Sequence, residues 1–358
     1  MAELTGAQQM TTLTVTSSIP DGLLDTSARE LHHVLNGPTL IELEGERGAP
    51  LFVSGLMHGN EDSGLVAIQK VLRKFASRSL PRPLMILIGN VAAAQQGMRR
   101  LEDQADFNRV WPGSVDHQRS DEARIMARVH RRVIEREAFA AVDIHNNSGR
   151  NPHYGVICVE DEEVMMLASL FAPRAVLFRG LPGTQTASFS GLIPALTIEC
   201  GQSGEEANAQ AAARLVESVL SLRSLKARSA GETLTLFHTL AQVRVRSDVA
   251  LCRDSTPSWL SLEDDLDLHN FERLKRRFSF GESNHPMPFE VINESGQDVA
   301  AEFFEFDAGS LKLTRPIVPA MLTTQERIIR QDCLCYFMEE LRPEPTGQEP
   351  RDRGAGQD

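Results

Sequence analysis

The stretch "GLMHGNED", residues 55–62, follows the apolar run Leu51, Phe52, Val53 and hands it over to His58 and Glu61 just ahead of "DSGLVAIQKVLRKFASR". In that second segment Leu65, Ile68, Leu72 and Phe75 recur at helical spacing, so the whole reads as a buried strand, a short turn and an amphipathic helix. An H-x-x-E pair is a weak signal alone. Its position raises its weight, because in open α/β sheets ligand and catalytic groups collect at the carboxyl ends of strands.

Working outward, "PTLIELEG" precedes this unit as another strand, and "LMILIGNV" follows it as a continuous apolar run of the kind buried on both faces of a parallel sheet. "SDEARIMARVHRRVIERE" reads as a helix capped by Ser120, with Asp121 and Glu122 at its positive start and Ile125, Val129 and Val133 as its inner stripe. "FAAVDIH", "HYGVICV" and "IPALTIEC" are further strands, and Ser203 with Glu206 forms a capping box for a helix that buries Leu215, Val219 and Leu222. Upstream, "TSARELHHVLNG" reads as a short helix between Thr26 or Ser27 and Gly37. The alternation predicts an α/β fold: a mostly parallel, mixed sheet covered by helices on both faces. Near residue 230 the pattern turns to β-rich segments. The expected organisation is an α/β unit over 1–230, a smaller β-rich C-terminal unit over 231–342 and a disordered polar tail over 343–358.

The other strand ends carry chemistry too. "AAVDIH" ends at His145, two residues after Asp143, and "PALTIE" ends at Glu199. Two imidazoles and a carboxylate are a common Zn²⁺ ligand set that leaves a position for water, and a further glutamate close by can take that water's proton. Nickel, cobalt or iron would accept the same donors. A carboxylate in the apolar run around Glu199 costs several kcal/mol unless it is paired or its pKa rises, which suits a general base; a salt bridge to an arginine such as Arg179 or Arg109 is the alternative. In "RRLEDQADFNRVWPG", Asn108 and Arg109 offer an amide and a planar guanidinium fork matched to a carboxylate. Arg109 could equally pair with Asp106 or Asp103.

The totals narrow the partners. With 358 residues, 41% of them apolar, the chain can bury a large core, and a net charge of −12 without a basic block argues against nucleic acid or an anionic membrane. No secretory signal or membrane-length apolar run is visible, so a cytoplasmic protein is expected. Five scattered cysteines without a C-x-x-C pair indicate buried thiols rather than a disulfide framework.

"GLMHGNE", "DFNRVWPG", "DIHNNSGRNPHYG" and "LTIECG", in that order, resemble the succinylglutamate desuccinylase and aspartoacylase family, a branch of the zinc carboxypeptidase-like fold. By this resemblance His58, Glu61 and His145 hold one Zn²⁺ per chain, Glu199 is the general base, Asn108 and Arg109 bind the substrate carboxylate, and Arg100 polarises the scissile carbonyl. Arg100 sits one residue farther from the N-R pair than the family's usual spacing, which leaves Arg99 as its competitor. Asp143 would orient His145 from behind or simply end the strand. The activity implied is hydrolysis of the amide bond of a small N-acyl amino acid; whether the chain forms a homo-oligomer stays open.

The sequence also departs from that family. "LPGTQTASFSGLIPALTIE" has no tyrosine and no arginine, where aspartoacylases carry both to grip aspartate. A pocket lined by Thr184, Gln185, Ser188 and Phe189 would suit a less charged group. Of the two tyrosines, Tyr154 and Tyr336, the second lies in "CLCYFMEEL", read as a final buried strand or helix and not expected to reach the site. Two rival readings remain: a zinc carboxypeptidase acting on a peptide C-terminus, which would need an open cleft, and a non-catalytic sensor of acyl amino acids, which would not need Glu199.

Overall fold

The computed structural model describes residues 12–147, 149–179, 181–226, 234–251 and 258–341. The proposed tail and most of the segment around residue 230 lie outside these residues.

The N-terminal half alternates as its apolar runs predict. Strands β1 (Thr14–Thr16), β2 (Thr39–Leu43) and β3 (Leu51–Gly55) lead into α1 (Ser63–Phe75), β4 (Leu84–Ile88), α2 (Val91–Gln96) and α3 (Asp121–Glu135). Then follow β5 (Ala140–His145), β6 (Tyr154–Ile157), α4 (Glu162–Ser169), β7 (Arg174–Leu177), α5 (Gln185–Phe189), β8 (Ala195–Glu199) and α6 (Glu206–Ser221). Ser120 caps α3 by accepting a hydrogen bond from the Ala123 N–H, and Ile125, Val129 and Val133 are buried beneath it.

Two local expectations fail. The segment after Thr26 forms only a 3-10 turn at Leu31–His33. The Gln69 amide of α1 donates to the carbonyls of Leu23 and Thr26, so the Thr26 oxygen, which would open that helix, is engaged by a neighbour instead. Ser203 does not cap α6: its hydroxyl donates to Asp62 at 2.6 Å, tying the β8–α6 loop to the start of α1.

The C-terminal half contributes β9 (Thr235–Val245), β10 (Leu260–Leu262), β11 (Ser279–Ser283), β12 (Phe289–Asn293), α7 (Ala300–Phe303), β13 (Phe304–Asp307) and β14 (Ser310–Leu313). It closes with β15 (Val318–Ala320), α8 (Glu326–Gln331) and β16 (Cys335–Leu341). A mixed 12-stranded sheet runs β1-β2-β4-β3-β5-β8-β6-β7-β9-β16-β15, with β12 also paired to β9. Its central neighbours β4, β3, β5 and β8 are parallel, as expected for strands joined by helical crossovers. A separate antiparallel sheet has the order β10-β11-β14-β13.

The long strand β9 pairs in parallel with β7 and antiparallel with β16 and β12, so the large sheet continues without a break from the first half of the chain into the second. Between the two sheets lies an aromatic cluster. Phe280 meets Phe304, Phe337 and Phe289 edge-on at ring separations of 5.1, 5.8 and 6.4 Å. Phe280 is fully buried there, so Phe280→Ala should cost about 3–5 kcal/mol in a urea melt. A loss under about 1 kcal/mol would mean that the second sheet is not packed in this way.

Candidate active site

The end of β3 shows why the opening stretch has its composition. Leu56, just past the strand, takes a left-handed backbone conformation (φ 54°), which costs an L-residue about 1–2 kcal/mol. Its buried side chain and the hydrogen bond from the Asn90 N–H to its carbonyl hold it there. This bend swings His58 over the strand ends. A Cβ on Gly59 would lie 2.2 Å from the backbone nitrogen of Ala94, so the turn can pass α2 only with a glycine at that position. Glu61 then falls one turn residue short of Asp62, the N-cap of α1.

His145 and Asp143 sit two residues apart on β5 and therefore share a face of the sheet. Across the parallel pair, His145 is in register with Glu199 on β8. The structure thus brings His58, Glu61, His145 and Glu199 together, all buried, from three separate strand ends.

The orientation of the two rings carries the most information. Glu61 spans both imidazoles: Oε1 lies 2.7 Å from His58 Nδ1 and Oε2 lies 2.7 Å from His145 Nδ1. Behind each ring stands another carboxylate, Asp106 Oδ1 at 3.1 Å from His58 Nε2 and Asp143 Oδ2 at 2.8 Å from His145 Nε2. A carboxylate behind Nε2 keeps the proton on that nitrogen and leaves the Nδ1 lone pair facing inward, as a metal ligand requires. Asp143, fully buried, is held in turn by the Ser54 hydroxyl at 2.6 Å. His58, Glu61 and His145 each offer a ligand atom within 4.8 Å of the others, and these three form a group that could hold a metal ion. Two imidazole nitrogens and a carboxylate oxygen fit a borderline cation such as Zn²⁺.

Burial alone would push Glu61 up, but the adjoining His58 and His145 rings outweigh it and hold the carboxyl well below its usual range. Glu199 behaves in the opposite way. Burial pushes it up to about 7, against the pull of the His145 and His58 rings. Its Oε2 accepts a 2.9 Å hydrogen bond from the Asn147 amide, and Arg179, one suggested salt-bridge partner, pairs instead with Glu160.

The arginines separate. Arg100 does not line the cavity: its guanidinium donates to the backbone carbonyls of Leu101, Glu102 and Gln104 at the surface. Arg99 lines it, fixed by Asp106 at 3.1 Å and by Asp332 at 3.7 Å. The physical reason is Asp106, whose carboxylate is shared between His58 and Arg99 and draws the earlier arginine inward. Arg109 and Asn108 both line the cavity. Asn108 also props the site, accepting the Gln185 N–H at its Oδ1 and placing its Nδ2 3.1 Å from His145.

Of the loop residues, Thr184 lines the cavity, whereas Phe189 packs in the core against Phe52 and Trp111 and the Ser188 hydroxyl bonds back to Gln185. Gln185 is buried beside the cavity without lining it. Tyr336, not expected here, does reach the site. β16 is a strand, one of the two forms expected there, and its side chains alternate: Cys335 and Phe337 enter the core beneath the second sheet, while Tyr336 and Met338 join the cluster on the other face. Its hydroxyl accepts from the Gln242 amide at 2.8 Å.

Sequence reasoning also missed Asn146, which staples the strand ends together: its N–H donates to Glu61, and its amide donates to Ser63 and to the Gly201 carbonyl. The signal was the doubled asparagine directly after His145, at a strand end already marked as functional. The cavity has a volume of about 130 Å³, several times the space one water needs, and it is closed on one side by Met321, Thr323 and Tyr336 from the C-terminal half.

Comparison with known proteins places the family and the fold. The family profile described as "Succinylglutamate desuccinylase/Aspartoacylase catalytic domain" matches residues 47–225. The chain belongs to the succinylglutamate desuccinylase/aspartoacylase family. That match spans every residue of the constellation from His58 to Glu199. No curated protein matches the chain in sequence. Among solved structures, the succinylglutamate desuccinylase of Chromobacterium violaceum is 18% identical with a TM-score of 0.57, covering 86% of this chain and 89% of that one. The enzyme of the same name from Vibrio cholerae is 16% identical with a TM-score of 0.58, covering 91% and 98%. Murine aminoacylase 3 is 14% identical with a TM-score of 0.50, covering 83% and 97%. At these identities the likeness is one of fold, and it extends past the catalytic domain into the β-rich half. Among the described residues, no helix is long and apolar enough to cross a membrane.

Because Gly59 is wedged against α2, Gly59→Val should destabilise the fold by about 1–3 kcal/mol, read as a lower thermal midpoint. An unchanged midpoint would show that the turn can move away from α2.

Proposed function

We infer that the chain is a metal-dependent deacylase, with Zn²⁺ as the expected ion, which hydrolyses the amide bond of a small N-acyl amino acid. The observation that carries this reading is the inward aim of both Nδ1 atoms at one carboxylate, with Glu199 one strand away and raised by burial. Held by His58, Glu61 and His145, such a cation supplies Lewis acidity toward the amide carbonyl and toward water.

The protein's own groups do the remaining work. Asn147 fixes one oxygen of Glu199, leaving the other to take a proton from water and later to return it to the departing amine nitrogen. Arg109 grips the substrate carboxylate through its planar fork. Arg99, held rigid by Asp106 and Asp332, replaces Arg100 as the cation set to polarise the scissile carbonyl. A cavity of about 130 Å³, walled off by the C-terminal half, supports a small substrate over a peptide chain.

Glu199→Gln should retain bound metal, measured by atomic emission, while losing at least about a thousandfold in turnover. Unchanged turnover would remove Glu199 from the reaction and leave the sensor reading. Asp143→Asn weakens the hold on His145 and should reduce metal affinity about 10–100-fold in a competitive chelator titration. Activity on an acetyl, succinyl and longer-chain N-acyl amino acid panel should vanish with chelator and return with added Zn²⁺. Hydrolysis that survives full metal removal would end the proposal.

A further inference from the structure

Resting on that deacylase reading, the cavity's charge count and its apolar wall narrow the substrate. Among the described residues lining the cavity, the fixed cations are Arg99 and Arg109. Arg99 is already held by Asp106 and Asp332 and is assigned to the scissile carbonyl. Arg109 has a backbone carbonyl as its hydrogen-bond partner, through Nη1 to Asn108 O, and pairs with no carboxylate among the described residues. One guanidinium is therefore open to one carboxylate. Arg179 is held by Glu160 and does not line the cavity.

The lining away from the arginines is mixed, with asparagines and threonines beside an apolar wall. Val156, Cys158, Phe178, Leu181, Met321 and Ile328 face the cavity. Four of these, Val156, Phe178, Leu181 and Met321, belong to the apolar cluster that Tyr154 and Tyr336 anchor, in which the Phe178 and Tyr336 rings meet edge-on at 4.9 Å. A second carboxylate placed against this wall would lose its hydration with no cation to meet it, whereas an aliphatic or aromatic group would displace water from an apolar surface.

We propose that the substrate is an N-acyl amino acid with a single carboxylate, gripped by Arg109, and one uncharged apolar group that lies against Val156, Phe178, Leu181 and Met321. The apolar group can belong to the amino-acid side chain or to the acyl chain, and the two sources are separable by assay.

The test compares kcat/KM of the metal-loaded protein on N-acetyl-leucine, -methionine and -phenylalanine, on N-phenylacetyl- and N-octanoyl-glycine, and on N-acetylaspartate and N-succinylglutamate. The expected result is that one of the two apolar sets exceeds both polycarboxylates by about a hundredfold or more. The first set assigns the wall to the side chain and the second to the acyl group. Preference for N-acetylaspartate or N-succinylglutamate would overturn the proposal while leaving the deacylase reading intact.

Calorimetric binding to the Glu199→Gln protein separates the two ideas from the other side. Tight binding of the apolar ligands without turnover by the unmodified protein would support the subsite and sink the hydrolase, and absence of binding to all of them would overturn both. In addition, Leu181→Arg, at a half-buried wall position, should shift the ratio of kcat/KM values toward N-acetylaspartate by about tenfold or more. An unaltered ratio in a folded variant would show that the wall does not meet the substrate.

Discussion

One carboxylate bridging two imidazoles governs this molecule. Glu61 lies between His58 and His145, and each of those residues ends or follows a different strand of the sheet. For both rings to reach it, β3 and β5 must be adjacent and parallel, β3 must break its extended path at Leu56, and the turn must pass α2 without a side chain at Gly59. Burying five ionisable groups at such close range would be prohibitive if any stood alone. Each is instead compensated: Asp106 and Asp143 support the rings, Arg99 balances Asp106, and Ser54, Asn146 and Asn147 occupy remaining lone pairs.

What could be read from the sequence divides along a physical line. β4 is a continuous apolar run, and β3, β5 and β8 are apolar apart from Ser54, Asp143, Thr197 and their chemical ends, so their existence and their parallel neighbourhood were legible, and with them the positions of His58, His145 and Glu199 at strand ends. Long-range hydrogen bonding was not. The choice between Arg99 and Arg100 depends on Asp106, whose place beside His58 is a tertiary fact invisible in "MRRLEDQADFNR". Ser203 has the spacing of a cap, yet it serves Asp62, a residue far away in the chain. The helix read after Thr26 meets the same kind of competition: an amide from α1 engages the Thr26 carbonyl that would have opened it.

Tyr336 is a different case. The sequence around it reads as a buried strand or helix, and burial argues against a place in the site. A strand buried on both faces presents alternate residues to two separate clusters, so burial alone does not say which one a residue joins. Only the pairing of β16 with β9 puts Tyr336 on the cavity side and Cys335 and Phe337 on the other. The Gly59 and Leu56 constraints, by contrast, are local, and both lie within the stretch that first marked the site.

The continuity of the large sheet through β9 has a consequence for how the molecule comes into being. On a ribosome, the imidazoles, both glutamates and the arginines emerge well before Met321, Cys333 and Tyr336, yet the pocket gains its far wall only when the chain returns to lay β16 beside β9. Until that late, sequence-distant pairing forms, the nascent protein exposes a hydrophilic reaction centre and the unsatisfied backbone of β9 at once. The far wall of the pocket and the outer backbone partner of β9 therefore come from the same closing event.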